Sequence, residues 1–416
     1  MDWIKEHLHD DVNELALHAS NYPDVDVARA LVQIRGWQIA EKKLPLWAQT
    51  EGILYPNHLP LEQCSSQLTA EYKASLVGGN DTSTGSVTNE NQNGSSGSSG
   101  SSSSSSSNEK FHSMTDLTGG FGVDAVTIAR QFEHLTYVEQ REDLCQLAQH
   151  NFPLLGVTDF EVIQADCEEV LERLPHQNLI MIDPARRDAS GRKTVAISDC
   201  TPDVSQLNQL LLDKADKVMI KLSPMLDIPT ALQQMKGVYQ LHVVSVQGEC
   251  KEILVLLNKH ENEKSPQIVC ADITREGIQR FCFTREDEQA APCSYTQDVS
   301  DYLYEPNASL MKACPFKSLP QHFHLQKLHP NSHLYTSMER IPDFPGRQFR
   351  VEDVLPLNKQ TTKQISQLGQ ANISVRNFPA TVADLRKRFR LADGGDNYIF
   401  ATTLANNRRV VILCKK

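Results

Sequence analysis

Hydrophobic positions in residues 1–77 recur at the spacing of amphipathic helices. Val27, Leu31, Ile34 and Ile39 are one example, and charged residues occupy the positions between them. This spacing places the apolar side chains on one helix face. The segment is therefore predicted to be an N-terminal helical module.

Between residues 111 and 260 the pattern changes to short apolar runs separated by amphipathic stretches. Strands that alternate with helices build a parallel, doubly wound sheet. The segment is therefore predicted to be an α/β domain with a Rossmann-like sheet. The seven candidate strands are MTDLT, LTYVE, FEVIQAD, LIMIDP, KVMIKLS, LHVVSVQ and ILVLLN.

The remaining residues predict two smaller α+β domains. Residues 261–315 contain two candidate strands, at 268–270 and 280–283. Residues 316–416 contain the segment NISVRNFP, a basic helix in VADLRKRF, the turn DGGDN, and a hairpin formed by YIFATTL and RRVVILC.

Residues 78–110 have a composition that cannot build a core. They include 13 Ser and 6 Gly, and Val87 is their only aliphatic residue. Such a segment behaves as a flexible tether. It is predicted to be a disordered linker after the N-terminal module.

Composition excludes several classes of protein. No apolar run reaches the roughly 18 residues of a bilayer span, and residues 1–10 carry acids where a secretory signal is apolar. The ten cysteines include no CxxC pair, which argues against a zinc ribbon and a redox dithiol. We expect a cytoplasmic protein with reduced thiols, no membrane association and no bound metal.

Charge is distributed unevenly along the chain. The formal net charge is −11, yet residues 361–416 hold ten Lys or Arg against three Asp, so they carry +7 and the rest −18. A basic segment on an acidic chain indicates contact with phosphates. The alternative is that the basic helix is only a solvated face, with Leu385 and Phe389 buried. The candidate RNA-binding residues are Arg376, Arg386, Arg388 and Arg390.

A glycine-rich turn, DLTGGFGVD, follows the first strand of the α/β domain. Glycines permit a sharp turn into a helix and a close approach of a ligand to the backbone. The spacing D-x-x-G-G-x-G resembles the first motif of class I S-adenosylmethionine-dependent methyltransferases. An ordinary strand-to-helix connection is the alternative. The candidate cofactor-binding residues of this turn are Asp116, Thr118, Gly119, Gly120 and Gly122.

Acidic residues also end the next two strands. Glu139 ends LTYVE and Asp166 ends the third strand. Sheets of this type bind ligands beyond the carboxyl ends of their strands. The resemblance implies that Asp116 lies near the methionine ammonium, that Glu139 accepts hydrogen bonds from the ribose hydroxyls, and that Asp166 meets the adenine amino group. Taken singly, each acid could be a solvated strand or loop residue.

The fourth strand ends in Asp183-Pro184-Ala185-Arg186-Arg187. Base-modifying methyltransferases often have (D/N)-P-P-aromatic here, so Ala185 and Arg186 weaken the assignment of an exocyclic amine as acceptor. Asp183, Pro184 and Arg186 are the candidate catalytic residues, with Asp183 binding and deprotonating the acceptor. Arg186 or Arg187 could stack on a base or hold a phosphate, and an ion pair with a neighbouring Asp is the alternative.

The sequence D-P-A-R also occurs in RNA uracil-C5 methyltransferases, which need a cysteine after the next strand. Here that strand ends in Lys221-Leu222-Ser223-Pro224, without a cysteine, so a covalent uracil mechanism is disfavoured. Lys221 is a candidate substrate-binding residue in the same crevice, as is Arg187. Cys250 is the only nearby thiol at a strand start, and a buried structural role is predicted for it.

Several motifs together resemble one family. DLTGGFGVD, IDPARRD, KLSP, GECKEILVLLN, YEPNASLMK and VRNFP are similar to bacterial class I methyltransferases with a THUMP-like C-terminal domain, typical of Bacteroidota. The resemblance implies S-adenosylmethionine as cofactor, a ferredoxin-like domain at 261–315, a THUMP-like domain at 316–416 and an RNA substrate, either tRNA or rRNA. Two alternatives remain: a small-molecule or protein methyltransferase of this fold, and a noncatalytic RNA-binding protein.

Overall fold

The computed structural model describes residues 2–78, 110–186, 197–260 and 265–416. Arg187 and most of the predicted linker lie outside these ranges. The described residues form two compact units, the first from residues 2–78, 110–186, 197–240 and 253–260 and the second from 241–252 and 265–416. Within the described ranges, no helix has both the length and the apolar character needed to cross a membrane.

Residues 2–78 form the predicted helical module. Its longest helix begins where the Asp26 carboxylate accepts a hydrogen bond from the Arg29 backbone N–H at 3.1 Å, and Ile34 on its apolar face is fully buried. The helices are α1 (Asp2–Glu6), α2 (Val12–Leu17), α3 (Val27–Lys43), α4 (Pro45–Gln49), α5 (His58–Gln63) and α6 (Gln67–Ser75).

Each of the seven runs predicted as strands in the α/β domain forms a strand. They are β1 (Phe111–Asp116), β2 (Phe132–Glu139), β3 (Phe160–Gln164), β4 (Gln177–Ile182), β7 (Ala215–Leu222), β8 (Val238–Val246) and β9 (Glu249–Leu257). Between β4 and β7 lies a small antiparallel pair, β5 (Ala185–Arg186) and β6 (Cys200–Thr201). The connecting helices are α7 (Val123–Ala129), α8 (Glu142–Leu154), α9 (Cys167–Arg173), α10 (Val204–Lys214) and α11 (Ile228–Gln234).

The large sheet has nine strands, because β10 (Gln267–Thr274) and β11 (Gly277–Phe283) join the seven predicted ones. The strand order is β11-β10-β8-β9-β7-β4-β1-β2-β3. Strands β7, β4, β1, β2 and β3 pair in parallel, and β9 pairs antiparallel with β7. The predicted Rossmann-like α/β fold is confirmed. The sequence pattern assigned β10 and β11 to a separate insert; their buried apolar residues instead belong to this sheet.

The second unit contains a further sheet of seven strands. Its order is β13-β14-β12-β15-β18-β17-β16, and β17 and β18 form the predicted hairpin. The basic helix predicted from VADLRKRF is α16; it begins at a reciprocal cap between Thr381 and Asp384 and buries Leu385 and Phe389.

The remaining elements of the second unit follow α12 (Arg285–Ala290) along the chain. The strands are β12 (Tyr302–Pro306), β13 (Gln326–Lys327), β14 (Tyr335–Ser337), β15 (Gly346–Pro356), β16 (Asn372–Arg376), β17 (Asn397–Thr403) and β18 (Arg409–Lys415). The helices are α13 (Ala308–Ala313), α14 (Ser318–His322), α15 (Lys359–Ser366) and α16 (Val382–Phe389).

The N-terminal module packs against the helices of the large sheet within the first unit. Helix α6 lies on α7, and the ring of Trp47 is centred 4.6 Å from that of Phe121 in the glycine-rich turn. The Asn151 side chain on α8 donates to the Leu54 carbonyl at 2.8 Å and accepts from the Leu54 N–H at 2.9 Å. The module therefore borders the glycine turn although a long segment separates them in sequence.

Candidate active site

The turn between β1 and α7 has a backbone that favours glycine. Gly120 and Gly122 adopt left-handed φ angles of 57° and 84°. A Cβ atom on Gly119 would lie 2.0 Å from the Tyr137 ring, and one on Gly122 would lie 2.5 Å from the Phe152 ring. The glycines therefore let the turn fold tightly over β2 and α8.

Asp116 ends β1 directly before this turn and is only 3 % exposed. Its carboxylate accepts a hydrogen bond from the Thr118 N–H at 3.0 Å. Burial, reinforced by the nearby Asp124 and Asp183 carboxylates, raises the pKa of Asp116 from its usual 3.8 to about 7. The Thr118 hydroxyl accepts a hydrogen bond from the Asp183 N–H at 2.6 Å and so joins the ends of β1 and β4.

Glu139 ends β2 and is hydrogen-bonded to the turn. Its carboxylate accepts hydrogen bonds from the backbone N–H groups of Gly120 and Arg141, each at 2.9 Å. Each carboxylate oxygen has a second lone pair, so both oxygens can accept a further hydrogen bond from a ligand hydroxyl.

Asp166 follows β3 and caps α9. It accepts hydrogen bonds from the Glu168 N–H at 2.8 Å and from the Gln140 side chain at 2.7 Å. Asp116, Glu139 and Asp166 thus stand at the ends of three adjacent parallel strands, as the sequence predicted.

These residues line one cleft of about 410 Å³, within the size range of small-molecule sites. It brings together nine of the predicted site residues: Asp116, Thr118, Gly119, Gly120, Gly122, Glu139, Asp166, Asp183 and Lys221. Pro184 is buried next to Asp183 in sequence, and Arg186 is the second residue of β5.

Asp183 forms an ion pair with Lys221, in which the ammonium donates to the Oδ2 atom of the carboxylate. The Asp183 side chain is 40 % exposed and the Lys221 side chain 14 % exposed. The Asp183 carboxylate therefore faces the cleft, and it is hydrogen-bonded to the ammonium of Lys221, which lies on β7.

Sequence reasoning missed a polar cluster that adjoins this pair. Asp124, in the first turn of α7, has its Oδ2 atom 3.9 Å from the Lys221 ammonium and its Oδ1 atom 3.2 Å from the fully buried ammonium of Lys73. The Ser65 hydroxyl accepts from Lys73 at 3.1 Å and donates to Asp124 at 2.7 Å. Asp124 directly follows the glycine motif, so the sequence could have drawn attention to it. Its partners Lys73 and Ser65 belong to no recognisable motif, and no sequence signal links them to Asp124.

Two cysteines also line the cleft, Cys64 and Cys167. Burial raises the pKa of Cys64 and raises that of Cys167 to about 11. A thiol with a raised pKa is rarely ionised near neutral pH and is a poor nucleophile. Burial therefore makes both Cys64 and Cys167 poor candidates for a nucleophile.

The cleft fits a cationic ligand better than an anionic one. Among the described residues that line it, the acids are Asp116, Asp124, Glu139, Asp166, Glu168 and Asp183, and the cations are Arg141 and Lys221. Six carboxylates repel the pyrophosphate of a dinucleotide and attract a sulfonium or ammonium group. The residues present therefore fit S-adenosylmethionine. No group of three metal-ligating side chains occurs among the described residues.

The predicted RNA-binding arginines lie in the second unit and differ in their contacts. Arg376 forms an ion pair at 2.8 Å with the buried carboxylate of Glu305, and Arg386 pairs with Asp393 at 2.5 Å. Arg388 and Arg390 are exposed. Arg388 makes a long contact of 3.4 Å with a threonine hydroxyl, and Arg390 ends α16 in the left-handed region, with φ 57°.

Two domain families match the C-terminal part of the chain. Residues 302–345 match a ferredoxin-like domain, and residues 346–416 match a THUMP domain-like family. The boundaries 261–315 and 316–416 remain predictions beside these matches. No curated protein matches the chain significantly.

Among solved structures, a candidate methyltransferase from Porphyromonas gingivalis W83 is similar over the whole chain. The two are 32 % identical with a TM-score of 0.84, covering 100 % of this chain and 96 % of that one. An rRNA methylase from Streptococcus thermophilus is 14 % identical, with a TM-score of 0.28 over 36 % of this chain and 89 % of that one. A candidate methyltransferase from Streptococcus mutans in complex with SAH is 10 % identical, with the same TM-score and coverage.

Proposed function

The chain belongs to the family of bacterial class I methyltransferases with a THUMP-like C-terminal domain, and from this premise we propose that it transfers a methyl group from S-adenosylmethionine to a base in RNA, either tRNA or rRNA. The observation that carries the proposal is the single cleft in which the carboxylates of Asp116, Glu139 and Asp166 surround the glycine turn.

Each of these residues has a role in holding the cofactor. Asp116 would lie near the methionine ammonium, whose positive charge would favour the ionised carboxylate. The Glu139 oxygens would accept hydrogen bonds from the ribose hydroxyls, and Asp166 would accept one from the adenine amino group. The Gly119–Gly122 backbone allows the close approach. When bound, S-adenosylmethionine supplies an activated methyl group.

The chain itself has to position the acceptor and remove its proton. Positioning supplies most of the rate effect in such transfers. One oxygen of Asp183 is engaged by Lys221, and the other can accept a hydrogen bond from the acceptor base and then its proton. The raised pKa values of Cys64 and Cys167 argue against a covalent uracil adduct.

The THUMP-like match and the basic segment support RNA as the substrate class. Arg388 and Arg390 are exposed on and just after α16, where they can contact phosphates. Arg376 and Arg386 already neutralise acidic side chains, so we assign them a smaller share of the phosphate contacts.

Calorimetric titration with S-adenosylmethionine tests the cofactor site. Glu139→Ala removes a charged acceptor of two ribose hydrogen bonds, and we expect affinity to fall by about tenfold or more. Glu133→Ala is the matched control, because Glu133 lies in the same strand and is exposed away from the cleft lining. A wild-type protein that binds NAD and ignores S-adenosylmethionine would contradict the proposal.

A further inference from the structure

A row of alternating charges runs from the N-terminal module into the cleft. It consists of Lys73 on α6, Asp124 on α7, Lys221 on β7 and Asp183 after β4. The exposed fractions of the side chains increase along the row, from 0 % for Lys73 through 10 % and 14 % to 40 % for Asp183. The buried end therefore belongs to the module and the exposed end to the cleft.

Lys73 is the cation nearer to Asp124, at 3.2 Å against 3.9 Å for Lys221. Asp124 is almost buried, and a buried carboxylate requires a compensating cation. Lys73 and the Ser65 hydroxyl supply that compensation at 3.2 and 2.7 Å, whereas Lys221 lies 3.9 Å from the nearest Asp124 oxygen. With Asp124 compensated by the module, the Lys221 ammonium is hydrogen-bonded to Asp183.

Residues of the module also form part of the cleft wall. Pro60, Gln63, Cys64 and Ser65, which lie in α5 and the segment before α6, line the cleft together with Asp183 and Lys221. The module is therefore placed to act on the residues that handle the acceptor, in addition to packing on α7.

We propose that the N-terminal module completes the acceptor side of the cleft, because the Lys73–Ser65–Asp124 contact holds Lys221 on Asp183 and thereby orients the carboxylate that receives the acceptor's proton. Lys73 and Ser65 are positioning residues in this arrangement, since they act through Asp124 and Lys221. The inference rests on the proposed methyl transfer for its catalytic consequence, while the arrangement of the side chains can be tested without it.

The structural test is a crystal structure of the full chain with Lys73→Met. Methionine fills the space without charge, so Asp124 loses its buried partner, and Lys221 is expected to move within hydrogen-bond distance of Asp124 and leave Asp183. A structure in which Lys221 remains on Asp183 would overturn the proposal, whatever the protein catalyses. Lys5→Met is the matched control, because Lys5 belongs to the same module but forms an exposed pair with Glu51.

The kinetic test uses tritiated S-adenosylmethionine and total RNA from a strain lacking the gene. For Lys73→Met we expect kcat to fall by about tenfold or more while the affinity for S-adenosylmethionine stays within about twofold of wild type. Lys73→Arg keeps the charge and is expected to retain most of kcat. The folded fraction of Lys73→Met is measured by circular dichroism. A decrease in kcat that is no larger than the decrease in folded protein contradicts a positioning role.

A double variant covers the case in which Lys73→Met does not fold. In Lys73→Met with Asp124→Asn, both buried charges are removed, so Lys221 has no carboxylate but Asp183 to approach within the row. We expect the double variant to be more stable than Lys73→Met and to keep the Lys221–Asp183 pair in its crystal structure. A double variant in which Lys221 leaves Asp183 would show that the buried charges do not control this pair.

Discussion

The raised pKa of Asp116 predicts an unusual effect of an Asp116→Asn substitution on stability. Burial raises the pKa of this carboxyl from 3.8 to about 7 in the folded protein. The folded state therefore binds the proton more tightly than the unfolded state does. Its stability falls as the pH rises from 3.8 and levels off above about 7, because both states are then ionised.

The expected change in the free energy of unfolding follows from the size of the pKa shift of Asp116. Each pKa unit corresponds to about 1.36 kcal/mol, so the ionised Asp116 costs the folded state about 4 kcal/mol above pH 7. Asparagine keeps the Oδ1 acceptor for the Thr118 N–H but does not ionise. Relative to wild type, Asp116→Asn should gain about 2 to 3 kcal/mol more free energy of unfolding at pH 8 than at pH 5.

Urea unfolding followed by tryptophan fluorescence measures this difference. The three tryptophans all lie within residues 1–77, and Trp47 packs on Phe121 of the glycine turn, so the signal reports the first unit. Asp216→Asn is the control without this pH dependence: the hydrogen bond from His176 lowers the pKa of Asp216, so its carboxyl is ionised in the folded and unfolded states at both pH 5 and pH 8. An Asp116→Asn effect of equal size at both pH values would refute the reasoning.

Three further predictions concern ligand and substrate. In the wild type, calorimetry should show affinity for S-adenosylmethionine rising from pH 6 to pH 8, because the ligand's positive charge favours ionised Asp116; a flat profile contradicts this contact. Asp183→Ala should retain cofactor binding yet lose about a hundredfold in kcat/KM in the tritium assay, whereas Cys250→Ser should stay active; the reverse outcome would indicate a covalent mechanism. Replacing Arg388 and Arg390 by Ala should reduce the log–log salt slope of RNA binding by about 0.7 to 0.9 per contact in a filter-binding titration, and an unchanged slope would mean that the basic helix is only a solvated face.

Sequence patterns predicted the elements whose signal is local. The alternation of apolar runs and helical stretches located all seven strands of the α/β domain, and the carboxylates that end β1, β2 and β3 in the sequence pattern lie together along the cleft, as their positions predicted. These predictions succeed because strand ends in a parallel sheet meet at one edge, so position along the strand determines position in space.

Contacts between distant segments could not be predicted in this way. Lys73 and Asp124 are 51 residues apart, with the Ser-rich segment between them, and no spacing rule relates a lysine on one helix to an aspartate on another. From the sequence, Arg376 and Arg386 were predicted to be part of a basic RNA-binding surface. In the folded chain each forms an ion pair, Arg376 with Glu305 and Arg386 with Asp393. Net charge over a segment thus overstates the cations available to a ligand.

The charge of the cleft indicates which groups of an RNA substrate would bind in the cleft and which would bind elsewhere on the chain. Among the described residues that line the cleft there are six carboxylates and two cations, so a phosphate near them would meet mainly negative charge, while an uncharged base would not be repelled. Phosphate contacts must then come from outside the cleft, and residues 361–416 carry the excess of positive charge that such contacts require. Under the proposed function, the cleft would admit the base and the cationic cofactor, and the exposed arginines of α16 and its C-terminal end would supply the affinity for the RNA backbone.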